Sequence, residues 1–203
     1  MKRAVVTGMG IVCPVGTGVE YAWKNILAGK SGIRKIDKFD ASGFASQIAG
    51  VPLRGEGAGE FNPDVVVDPR EQRKMDLDII YGMVAGDEAM RDAGLENGGY
   101  DADRFGVSIG SGIGGVQTIT DTDADLIQSG PRFVSPFFVP KAIVNMTAGF
   151  VSIKYGLRGP NLAVATACAT GSHSIALALD LIRSGRADIM MAGGTEAAVT
   201  PLA

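Results

Sequence analysis

Asn161-Leu-Ala-Val-Ala-Thr-Ala-Cys168-Ala-Thr-Gly171-Ser-His173-Ser-Ile175 passes from an apolar run, through small residues, into Ala176-Leu-Ala-Leu-Asp-Leu-Ile-Arg183, and Asp188-Ile-Met-Met-Ala192 follows. The first run reads as a strand over 161–165, the second as a helix over about 171–183, and the third as a strand over 188–192. Strands that alternate with helices predict an α/β architecture with mainly parallel pairing. Ile175, Leu177, Leu179, Leu181 and Ile182, with alanines between them, leave the helix almost no polar face. Such a helix is expected to lie enclosed between layers.

The same alternation extends toward the N-terminus. Lys2 to Val6 is short, apolar and β-branched ahead of Thr7-Gly8-Met9-Gly10, and reads as a buried strand entering a turn rather than as a leader. A helix over about 20–28 ends at Gly29, and 31–68 show no sustained period. Asp68-Pro69-Arg70-Glu71 carries the marks of a helix start: Asp at the cap, Pro in the first position, Glu three residues after the cap. Leu77, Ile80, Tyr81, Val84 and Ala85 continue that period to Gly94, so one helix is expected. A strand over 105–109, the turn Gly110-Ser-Gly-Ile113-Gly-Gly115, a helix toward Gln128 and another over about 140–155 complete the order.

With 203 residues, 46% of them hydrophobic and 20% charged, the chain is long enough to bury a sizeable core. Its net charge of −3 argues against nucleic-acid or anionic-membrane binding, which both want a basic surface. No run approaches the roughly 20 apolar residues of a membrane helix. Two cysteines, Cys13 and Cys168, and one histidine, His173, build neither a disulfide framework nor a four-ligand zinc site, so no metal is expected. The setting expected is reducing and cytoplasmic. Gly8-Met9-Gly10 lacks the third glycine of a dinucleotide fingerprint, Cys13 standing in its place, and no cofactor is expected.

Cys168 sits where a strand turns into a helix. A nucleophile at such an elbow is exposed at the tip of a sharp turn, and small neighbours let substrate approach. The helix dipole and its free N–H groups favour thiolate, the nucleophilic form, and the Cys168 N–H can donate to an oxyanion. A buried structural cysteine is the other reading these residues allow. His173 follows by five residues, roughly 140° around a helix axis, so it points away and reads as a packed histidine rather than a base. Arg70, Arg73 and Lys74 share a face of the proposed helix at spacings of three and four. In its first turns their charge opposes the dipole, which points to an anionic partner.

Taken together, Arg3-Ala-Val-Val-Thr-Gly-Met-Gly10, Glu71-Gln-Arg-Lys-Met-Asp76, Gly110-Ser-Gly-Ile-Gly-Gly115, Ser135-Pro-Phe-Phe-Val-Pro140, Tyr155-Gly-Leu-Arg-Gly-Pro160, Thr166-Ala-Cys-Ala-Thr-Gly171 and Met191-Ala-Gly-Gly-Thr-Glu196 resemble the N-terminal half of the β-ketoacyl-acyl-carrier-protein synthases. Several motifs in one order, spanning the whole chain, are far more specific than any one of them. The resemblance implies a thiolase-like, layered α/β/α/β/α fold, represented over 1–203 by an incomplete N-terminal domain, in a protein that forms a homodimer. It implies a decarboxylative condensation in fatty acid elongation, with acyl and malonyl thioesters of acyl carrier protein as substrates. Cys168 matches the family's nucleophile, Ile113 a position lining the acyl pocket, and Arg70 and Lys74, with Arg73 between them, a patch that receives the carrier protein. The family's two active-site histidines, lysine and gating phenylalanine have no match in 1–203, so these residues alone are expected to lack condensing activity and to expose apolar surface. Alternatives are an aromatic polyketide ketosynthase, a cysteine acyltransferase or hydrolase, and a ketosynthase-like partner subunit; the last is expected to lack Cys168.

Overall fold

The computed structural model describes residues 3–203. In chain order it contains β1 (Val12–Cys13), β2 (Gly16–Thr17), α1 (Val19–Leu27), β3 (Ile33–Lys35), β4 (Ile48–Gly50), α2 (Pro69–Gln72), α3 (Leu77–Asp92), β5 (Phe105–Gly110), α4 (Val116–Ser129), α5 (Phe138–Ala142), α6 (Met146–Tyr155), β6 (Asn161–Leu162), α7 (Thr170–Arg183) and β7 (Ile189–Gly194). β1 with β2 and β3 with β4 form small antiparallel ladders, so the 31–68 segment is not wholly irregular. The sheet that organises the molecule is parallel, in the order β6-β5-β7.

β5 is buried along its whole length, as a central strand covered on both faces should be. Alternation sends Phe105, Val107 and Ile109 to one side, where they join Ile79, Met83, Met90, Val151 and Met191 in the core. Those partners come from α3, α6 and β7. On the opposite side Gly106, Ser108 and Gly110 face α7, whose inward residues Thr170, Ser174, Ala178 and Leu181 are mostly small. Small residues on both surfaces let helix and sheet approach closely. A Cβ on Gly110 would stand 1.8 Å from the Val164 carbonyl oxygen and 2.9 Å from Thr170 Cγ2.

Five expectations need correction. Residues 3–6 form no strand, and Val5 and Val6 are exposed, while Lys2 lies outside the described residues. The segment that follows runs along α3: the Met9 and Ile11 N–H groups donate to the carboxylates of Asp92 and Glu88. Gly8 and Gly10 lie against its backbone, a Cβ at Gly10 falling 1.9 Å from the Ala85 carbonyl oxygen. These glycines let the segment lie close against α3.

The helix expected from 69 onward is broken. Asp68 does cap α2, accepting from the Arg70 N–H at 2.7 Å, but α2 ends at Gln72 and a new helix begins after Asp76. Asp76 Oδ1 caps α3 through the Leu77 N–H at 2.6 Å, while Oδ2 accepts from the Thr118 N–H and hydroxyl at the start of α4. One buried carboxylate thereby anchors two helix starts. The helix expected over 140–155 is likewise split into α5 and α6, with Ile143 extended at the junction. That break frees the Ala142 carbonyl to accept from the Gly115 N–H at 3.1 Å.

Finally, β6 is shorter than expected, and α7 is covered only on its sheet side. Ile175 is 57% exposed, because no second layer within 3–203 lies over the outer face of α7. Among the described residues no helix is long and apolar enough to cross a membrane.

Candidate active site

The three parallel strands end together at Gly110, the segment after Leu162, and Gly194. Loops beyond the carboxyl ends of parallel strands are where open α/β sheets place their sites. Cys168 lies on one of them, in a single 3₁₀ turn, Ala167–Ala169, that leads into α7. Ala167 adopts φ +51°, the left-handed region that residues with a Cβ seldom occupy. The elbow is held by the Thr170 hydroxyl, which accepts from the Thr166 N–H at 2.9 Å, and by the Ala169 N–H donating to the Thr166 carbonyl at 3.2 Å. A strained turn fixed at both ends presents what stands at its tip.

What stands there is an exposed thiol. Among residues 3–203 Cys168 is not buried, whereas Cys13 is half-buried and donates to the Gly16 carbonyl at 3.1 Å. Cys168 stands two residues before Thr170, the first residue of α7, rather than opening the helix, so the dipole acts from slightly farther away than the sequence suggests. Its N–H donates to no protein acceptor among the described residues and remains free for an oxyanion. His173 Nδ1 is hydrogen-bonded to the Thr166 hydroxyl at 2.8 Å, and no hydrogen bond joins it to Cys168. The ring is thereby tied to the start of the elbow.

The Gly110–Gly115 turn lies directly against this elbow. A Cβ on Gly112 would sit 3.3 Å from Ala167 Cα. Gly114, at φ +79°, needs its left-handed conformation and packs on Ala142 and Val144 at the α5–α6 break. Ile113 is carried on the turn with its side chain about half exposed. The structure thus brings Ile113 and Cys168, far apart along the chain, onto adjacent loops.

Glu196, just beyond β7, closes the motif Met191-Ala-Gly-Gly-Thr-Glu196, in which sequence reasoning gave it no role. Its Oε1 accepts from the Ser111 hydroxyl at 3.0 Å, and its Oε2 from the N–H groups of Gly112 and Ile113 at 2.9 and 3.0 Å. The available signal was an acid placed straight after the apolar, glycine-ended strand Ile189–Gly194, where solvent alone does not explain it.

Arg70, Arg73 and Lys74 are together but not on one helical face. α2 is a single turn; Arg73 is its C-cap and Lys74 follows it, so the unfavourable dipole term falls away for both. Lys74 is engaged by Glu71 at 2.6 Å and lies 5.6 Å over the Phe137 ring. Arg70 and Arg73 are exposed and, among the described residues, make no ion pair. They are the freer charges of the three. A hollow of about 240 Å³ between Lys38, Asp76, Thr118 and Lys141 lies on α3–α5 and includes neither Cys168 nor Ile113.

An elbow cysteine at the carboxyl ends of parallel strands, flanked by a glycine turn and half-covered helices, sits on an α/β scaffold of the thiolase-like type. The profile of the family described as "Beta-ketoacyl synthase, N-terminal domain" matches residues 1–203, and the chain belongs to that family. It is 51% identical over 201 residues to the 3-oxoacyl-(acyl-carrier-protein) synthase 2 of Vibrio cholerae, covering 99% of this chain and 47% of that protein. The enzyme of the same name from Staphylococcus aureus is 46% identical over 202 residues, at 47% of its length. A crystal structure of a β-ketoacyl synthase from Burkholderia phymatum superposes with a TM-score of 0.82 at 29% identity, covering 100% of this chain and 48% of that one. The chain spans about half the length of the curated relatives it matches.

Proposed function

We propose that the full-length protein containing residues 1–203 is a 3-oxoacyl-acyl-carrier-protein synthase, with Cys168 as its acyl acceptor. The observation that carries this reading is the exposed thiol at a strained elbow with an unengaged N–H beside it. The Cys168 thiolate attacks the carbonyl of an acyl thioester, a new carbon–sulfur bond forms, and the carrier's thiol leaves. Malonyl carrier protein then loses carbon dioxide, and its carbanion attacks the acyl-cysteine. A carbon–carbon bond forms as the Cys168 thiolate departs, giving 3-oxoacyl carrier protein. The names of the Vibrio and Staphylococcus relatives support this choice of substrate. His173, held by Thr166, is given no part in decarboxylation. We further infer a cytoplasmic homodimer, a family expectation compatible with the apolar side chains left exposed on α7.

The test is to incubate the full-length protein with an acyl-carrier-protein thioester and map peptides by mass. The acyl mass is expected on the Cys168 peptide and not on the Cys13 peptide, which serves as internal control. Release of that mass as 3-oxoacyl product should require malonyl carrier protein. An adduct at Cys13, or at neither cysteine, would sink the reading.

Arg70 and Arg73 are assigned to docking of the acidic carrier, with Ile113 bordering the acyl chain. Arg70→Glu and Arg73→Glu are each expected to weaken docking by about 1 kcal/mol, roughly a fivefold rise in KM for carrier-bound substrate. Loading from a small thioester lacking the carrier should be unchanged. Added salt should shrink the difference between variant and wild type. Equal effects on both substrates would argue against docking.

A further inference from the structure

Glu196 is used by nothing in the reaction just described, yet it is the most engaged acid near Cys168. Its carboxylate accepts from Ser111, Gly112 and Ile113, and Ser111 Oγ in turn accepts from the Gly114 N–H at 3.0 Å. Thr195 beside it is fixed from two directions, its N–H donating to the Gly110 carbonyl at 3.0 Å and its hydroxyl to the Asp78 carbonyl at 2.6 Å. Hydrogen bonds to an ionised acceptor are roughly twice as strong as neutral ones. The turn is therefore clipped to the end of β7 at successive residues.

There is little slack on the other side. Gly112 lies between Glu196 and the elbow: a Cβ there would be 2.9 Å from Glu196 Oε2 and 3.3 Å from Ala167 Cα. Ile113 has a half-exposed side chain on a backbone whose N–H is held by the carboxylate. With about half of its surface exposed, the isoleucine depends on that backbone for its direction. The carboxylate consequently determines where Ile113 points relative to Cys168.

We propose that Glu196 is a positioning residue that holds Ile113 beside the Cys168 elbow and so sets which acyl chains are accepted; this rests on the reading of Cys168 as acyl acceptor. A carboxylate is suited because it accepts all three bonds. Glutamine keeps part of the arrangement, its oxygen taking the two backbone N–H groups and its amide donating to Ser111 Oγ. Alanine keeps none of it.

The experiment loads full-length protein with an equimolar mixture of a short-chain and a long-chain acyl thioester of N-acetylcysteamine, and reads their ratio on Cys168 by mass. Glu196→Ala is expected to shift the long-to-short ratio by roughly fivefold or more, the scale on which small changes in an apolar site discriminate substrates. Glu196→Gln should stay within about twofold of wild type by the same scale. A residue that only stabilises the fold would lower total loading and melting temperature while leaving the ratio alone, and that result overturns the proposal. Where Glu196→Ala does not fold, Ser111→Ala decides in the same assay: a shifted ratio supports the clip and an unchanged one overturns it. Failure of wild type to load at Cys168 instead removes the functional reading itself, with the clip falling as its consequence.

Discussion

Cys168→Ala in the full-length protein is expected to abolish acyl loading and lower condensation by on the order of 10⁴-fold or more, with unfolding free energy unchanged within about 0.5 kcal/mol. The two halves of that expectation have separate causes. Activity is lost because alanine has no group to form the thioester, so the reaction cannot be divided into acylation and condensation. Stability is kept because the thiol is exposed and makes no hydrogen bond that the elbow needs. The elbow is maintained by Thr166, Thr170 and His173, and the left-handed Ala167 is untouched. Far-UV circular dichroism and urea unfolding beside the loading assay check both. A variant that lost loading and several kcal/mol together would mean that Cys168 acts as a structural residue.

That separation also marks what the sequence made legible. β5, the turn after it, the elbow and α7 were readable because each depends on local pattern: an apolar run, a glycine cluster, small residues, a helical period. The Asp68 cap was readable for the same reason. Residues 3–6 misled because an apolar β-branched run has strand composition whether or not a partner strand lies beside it. The helix expected from 69 to 94 joins the Asp68 cap to the spacing of Leu77, Ile80, Tyr81, Val84 and Ala85, a period that begins only after the α2–α3 break and is carried by α3 alone. What breaks that helix is Asp76 reaching Thr118 on another element, a contact no local window contains. Asp76 is a good N-cap residue, and a second start there was the missed signal. Glu196 escaped for a similar reason: its partners are Ser111, Gly112 and Ile113, far away along the chain.

Asp78 leads to the other large effect, on stability. It stands in the first turn of α3, 1% exposed, and its Oδ1 has no hydrogen-bond partner among the described residues. Burial, then the neighbouring carboxylates of Asp76 and Glu196, push its carboxyl up to about 7, although N–H groups of the helix start pull the other way. Between about 3.8 and 7 the folded chain thus holds a proton that the unfolded chain has released. Stability from this group is complete below the unfolded value and falls as pH rises through the folded one, by on the order of 4 kcal/mol in all. Asp87 opposes this trend: burial raises it, but hydrogen bonds from Lys154, Tyr155 and Arg91 outweigh that and hold it low, so its contribution is lost as pH falls. Because Asp87 is common to both proteins, comparing wild type with Asp78→Asn cancels it. Asparagine keeps the shape of the protonated acid and cannot ionise. The two proteins are expected to have similar stability near pH 4 and to diverge steadily as pH rises, the variant being the more stable by several kcal/mol at pH 8. Urea unfolding of full-length protein at several pH values measures the divergence, and parallel curves would show that Asp78 ionises in the fold as freely as in the open chain.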